Sequence, residues 1–188
     1  MDRSLSQSNE RALDVMAAAP PFQPPVRWNG PGDALVGNWT FMVVGSDRQR
    51  CVAAAVAAVR IVAPRLPPDA YDAATTRDSV NARIVVAERW LQAPSVRNQE
   101  LALSSFDHTR QTHAWSDFDF SDAWTNEAAD FALHAVWSGA LRGPFEPVPP
   151  AVCAVLAAVC AARSLALEGI SLRDSSLTIA RAIEARLF

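Results

Sequence analysis

One segment of the sequence carries most of the side chains that could do chemistry. Glu127, Asp130 and His134 fall at positions i, i+3 and i+7 of a predicted helix, a spacing that lets all three project from one side. The preceding predicted helix carries His108 and His113. Carboxylates and imidazoles on facing helices bind divalent metals in helical bundles. One hypothesis is therefore a metal-dependent enzyme that uses Asp130, His134 and one of His108 or His113.

The spacing of the two earlier histidines weakens the metal hypothesis. His108 and His113 are five residues apart in the sequence, which is about 140° around a helix. Regular geometry therefore cannot direct both rings at one ion. The sequence also has no HExxH motif and no paired ExxH motif. The alternative interpretation is that the histidines are core or helix-surface residues.

Other catalytic and cofactor-binding signatures are missing from the sequence. It has no GxSxG, GxxxxGK[ST] or GxGxxG motif, and its seven glycines form no phosphate-binding loop. Cys153 and Cys160 are seven residues apart on one face of an apolar segment, and Cys51 also lies among alanines and valines. This pattern is typical of small buried hydrophobic residues. We expect no catalytic residue and no cofactor.

An acidic turn between two long predicted helices alternates carboxylates with aromatic rings. In one interpretation its phenylalanines close the end of the bundle while its aspartates cap a helix. In the other the turn is a protein-binding edge, because aromatic residues anchor interfaces and a negative rim attracts a basic partner. Two acidic residues further along the next helix would extend this surface. The predicted partner-binding residues are Asp117, Phe118, Asp119, Phe120, Asp122, Glu127 and Asp130.

The composition restricts the partners and the location of the protein. The formal net charge is −3, and no basic run is present, which argues against nucleic acid as a partner. All 17 basic residues are arginine. The N-terminus lacks the apolar core of a signal peptide. The longest uncharged apolar run, residues 148–162, is shorter than the roughly 20 residues of a membrane span. We expect a cytoplasmic protein that does not enter a membrane.

The elements that must position these residues are helices. Proline- and glycine-rich breaks separate segments with apolar residues at helical spacing, and no convincing strand pair occurs. The sequence predicts a single all-α domain over residues 1–188, a compact bundle of about seven helices. Residues 1–7 are predicted to be disordered and residues 20–46 irregular. Within the latter, residues 33–45 fit a short buried helix better than a strand, which would have no partner.

Three long helices follow one another from Asp78 to Leu141, and each has a predicted stripe. The first carries Val80, Ile84, Ala87 and Leu91; the second carries Leu101, Ser105, His108, Thr112 and Trp115; the third carries Trp124, Ala128, Phe131, Ala135 and Ser138. The third helix is apolar around most of its circumference, so we expect it to be central. Capping boxes are predicted at Ser46–Gln49 and Ser171–Asp174.

The segment ARIVVAERWLQAPS, residues 82–95, resembles the Ala-Ile-Glu-Ala-Ala-x-x-Trp-Leu-x-Gly segment of the alanine-rich helical immunity proteins of bacterial polymorphic-toxin systems. The order of helices over residues 47–142 is similar to theirs as well. Arg83 and Val85 replace the residues expected there, and Pro94 stands near the usual glycine. The resemblance implies a protein that binds and neutralises a cognate toxin without catalysis. This is the leading hypothesis; the alternatives are the metal-dependent enzyme and an oligomeric structural or regulatory bundle.

Overall fold

The computed structural model describes residues 33–66, 77–112, 121–140 and 148–188, and in these ranges it contains seven α-helices and no strand. The helices are α1 (Asp33–Val44), α2 (Arg48–Val62), α3 (Arg77–Gln92), α4 (Val96–Thr112), α5 (Ser121–Trp137), α6 (Pro150–Leu167) and α7 (Leu172–Leu187), with a 3₁₀ turn at Ala63–Arg65. The predicted all-α bundle is confirmed. Residues 1–32, which include residues 1–7 with their predicted disorder, lie outside the described ranges.

Helix α1 lies inside the segment that was predicted to be irregular, so that prediction is wrong for residues 33–44, whereas the expected short helix is confirmed. Five consecutive residues, 36–40, are all buried, which explains why the sequence shows no polar face there. Gly37 lets α1 approach α6 closely. A Cβ atom at Gly37 would lie 3.3 Å from Cγ1 of Val155 and 3.4 Å from Cγ2 of Val159.

Helices α5 and α6 form the centre of the bundle, as the sequence predicted for α5. Thirteen residues of α5 are buried, and most of α6 is buried as well. Many of these residues are alanines, whose small side chains allow the helix backbones to approach closely. Arg48 of α2 ties the end of α5 in place: Nη1 donates to the Val136 carbonyl at 3.2 Å and Nη2 to the Ser138 carbonyl at 2.6 Å. Gly139, with φ of 70°, makes the turn that follows.

The apolar helix α6 has 18 residues with a mean hydropathy of 1.9, so its length and composition alone would allow it to cross a membrane. It is the one such helix in the described part of the chain, and 78% of it is buried within the bundle. The core helix of a soluble protein meets the same criteria. The burial of α6 is consistent with a soluble protein.

The predicted stripe of α3 is confirmed, but that of α4 is wrong. On α3, Val80, Ile84 and Ala87 are buried. On α4 the buried residues are instead Asn98, Ala102, Phe106 and Thr109, while Leu101 and His108 are exposed. The two polar side chains on this face form hydrogen bonds to nearby backbone carbonyls. Asn98 donates to the Ala93 carbonyl, in the turn before α4, at 2.8 Å, and Thr109 donates to the Ser105 carbonyl at 2.9 Å. The side chains of Thr112 and Trp115 lie outside the described set.

The helix starts agree in part with the predicted caps. Ser171 caps α7 as expected, since its hydroxyl accepts from the Asp174 amide at 3.1 Å. The cap of α2 is Asp47 and not Ser46, because the Asp47 carboxylate accepts from the amides of both Gln49 and Arg50. A carboxylate at this position also interacts favourably with the positive end of the helix dipole.

Candidate functional site

Four polar residues on α5 form a buried polar row: Asn126, Glu127, Asp130 and His134. Their exposed fractions are 0%, 7%, 0% and 5%. The prediction that Glu127 and Asp130 extend an exposed acidic surface is therefore wrong, because both side chains lie inside the bundle. An isolated carboxylate would be costly to bury, since it loses its hydration. A partner for the buried carboxylate of Asp130 is therefore expected on a neighbouring helix.

The partner of Asp130 is Arg83 of α3. Arg83 Nη1 donates to Asp130 Oδ1 at 2.6 Å, and the exposed fractions of the two side chains are 3% and 0%. Arg83 also donates to the side-chain carbonyl of Asn126 through Nη2, to its backbone carbonyl at 3.3 Å and, through Nε, to the Ser79 carbonyl at 3.4 Å. The guanidinium is thus held on several sides. This network fixes α3 against α5.

His134 lies in an aromatic cluster between α4 and α5. Its ring stacks on Trp137 with centroids 4.4 Å apart and an interplanar angle of 15°, and it lies 5.1 Å from the ring of Phe106. Phe106 in turn meets Trp137 edge to face at 5.6 Å. Such contacts add to the stabilisation from apolar burial. In this geometry the imidazole of His134 helps to pack α4 against α5.

The structure does not assemble the predicted metal site from the residues it describes. Among them, no three His, Cys, Asp or Glu side chains lie close enough together to hold one ion. Asp130 already binds Arg83, and His108 lies exposed on the outer face of α4, away from the buried Phe106 face. His113 lies outside the described residues.

The acidic turn is described only at its end. Asp117, Phe118, Asp119 and Phe120 lie outside the described residues. Asp122 is half-buried in the first turn of α5, and its Oδ1 accepts from the amide of Ala123 at 2.8 Å. Asp122 therefore interacts with a backbone amide in the first turn of α5.

Three exposed aliphatic side chains lie on α3 and α4, and the sequence patterns did not single them out. We call Val85, Val96 and Leu101 the exposed aliphatic residues; their exposed fractions are 59%, 60% and 37%. The signal was present at one position, since Val85 lies off the predicted buried stripe of α3. Next to Leu101, a shallow depression is lined by Glu100, Leu103, Ser104, Asp107 and His108. Burial raises the pKa of the Asp107 carboxyl above its ordinary value.

All three cysteines are buried free thiols, as the sequence predicted. Burial raises the pKa of Cys51 to about 11, and the nearby Asp47 carboxylate adds to the effect. Burial also raises the pKa of Cys153. A thiol with a raised pKa is a poor nucleophile at neutral pH, because little thiolate forms. These residues fit packing and not catalysis.

Comparison with known proteins gives no relative: no family model, no curated protein and no solved structure matches this chain.

Proposed function

We propose that this protein is a non-catalytic, cytoplasmic binding module of the bacterial immunity type, which binds and neutralises a cognate protein toxin. The observation that carries the proposal is the exposure of the aliphatic side chains of Val85, Val96 and Leu101 on α3 and α4. Exposed apolar groups on helices whose inner sides are well packed are available to a partner, and their burial would contribute to affinity.

The packing of the inner side of α3 and α4 explains how such a surface would be held rigid. The Arg83 network fixes α3 to α5, and Phe106 packs α4 on the aromatic cluster of α5. Both helices are therefore held at their buried faces while the outer faces remain accessible. A rigid surface loses less conformational entropy on binding than a mobile one. This preorganisation supports a binding role.

The resemblance to immunity proteins supports the same region. Residues 82–95 form most of α3 and the turn to α4. Two of the departures from the family pattern have distinct positions: Arg83 is buried in the ion pair, and Val85 points to solvent. We assign Val85 to partner recognition, since a surface residue can change with the partner while the packing of the bundle is retained. The acidic turn that follows α4 would favour a basic partner.

The test compares three versions of the full chain. The variant Val85→Glu/Leu101→Glu places charges at two of the exposed aliphatic residues, and Leu167→Glu is the control, since Leu167 is an aliphatic residue that is 50% exposed on α6. Circular dichroism establishes that all three fold. Affinity purification from the native host followed by quantitative mass spectrometry identifies proteins recovered by the wild type and the control but lost by the double variant.

The recovered protein is then produced separately and titrated by calorimetry. Full burial of a Val or Leu side chain contributes roughly 1.5–3 kcal/mol, so we expect the double variant to raise the Kd at least about tenfold. Expression of the recovered protein alone should arrest growth, and co-expression of this chain should restore it. Equal Kd values for the double variant and the control, or a recovered protein that is not toxic, would overturn the proposal. Native mass spectrometry of the same material, prepared without chelators, reports bound metal and self-association, the signatures of the two alternatives.

A further inference from the structure

We draw no further inference here: the strongest candidate, the depression on the outer face of α4 lined by Glu100, Leu103, Ser104, Asp107 and His108, is an acidic cluster on one helix, and no second observation points to a ligand for it.

Discussion

The buried ion pair between Arg83 and Asp130 leads to a sharp prediction about stability. Replacement of Arg83 by Met leaves the Asp130 carboxylate inside the bundle, 0% exposed and without its cation. Loss of one partner of a buried pair costs about 3–5 kcal/mol, a large share of the roughly 5–15 kcal/mol that stabilises a typical domain. Asp130→Leu should have a cost of the same order, because it leaves the Arg83 guanidinium without its carboxylate.

The double variant Arg83→Met/Asp130→Leu should be more stable than either single variant. It removes both charges, and apolar replacement of a buried pair is often neutral or stabilising. Asn126 loses the hydrogen bonds from Arg83 in the double variant, and a lost hydrogen bond costs about 0.5–1.5 kcal/mol. We therefore expect the double variant to be somewhat less stable than the wild type, with an interaction energy between the two positions of at least about 2 kcal/mol.

A second ion pair of α3 provides the control. Arg60 and Glu88 form two hydrogen bonds, of 2.8 and 2.6 Å, but the exposed fractions of their side chains are 52% and 20%. Exposed pairs contribute about 0–1 kcal/mol. Urea unfolding, followed by tryptophan fluorescence and far-UV circular dichroism, measures all variants. If Arg83→Met costs no more free energy of unfolding than Arg60→Met, burial is not the origin of the effect and the reasoning is refuted.

Two further predictions concern the end of α5 and the thiols. Arg48→Ala should lower the free energy of unfolding by about 1–3 kcal/mol, because two buried carbonyl groups lose their donor; Gln49→Ala is the exposed control, and equal losses would contradict the assignment. Native protein should show no thiol reactive to Ellman's reagent, and urea should release three. Above pH 9, unfolded thiols ionise before the folded Cys51, whose pKa is about 11, and before the folded Cys153, whose pKa is also raised. Each of these two thiols should therefore lower the free energy of unfolding by about 1.4 kcal/mol per pH unit up to pH 11. Cys51→Ala/Cys153→Ala should flatten this decline, and an unchanged decline would contradict it.

The helices could be predicted from the sequence because local interactions define where they begin and end. Prolines stop them, Ser171 caps one of them, and the spacing of Val80, Ile84 and Ala87 marks one buried face. These signals lie within one or two turns of each other. The same kind of reasoning recognised that residues 33–45 have no partner strand.

Contacts between residues that are distant in the sequence could not be predicted from such local signals. A charged residue such as Arg83 is ordinarily assigned to the surface, and its partner Asp130 lies 47 residues further along the chain. The buried face of α4 could not be predicted for the same reason. Phe106 is buried in place of Leu101 because it packs against the rings of His134 and Trp137, which belong to α5.

The alanine-rich contacts of α6 affect which mutations the protein can accept. Its buried positions are occupied mainly by alanine and valine, with α1 close to it at Gly37. Truncation removes little there, since an alanine has one methyl group, and Ala→Gly costs about 1 kcal/mol through helix propensity. Enlargement forces the neighbouring backbones apart and costs about 1–3 kcal/mol or more. A saturation scan of residues 150–167 should therefore show a core that tolerates shrinkage better than growth, and neutral drift in this helix should be confined to small side chains.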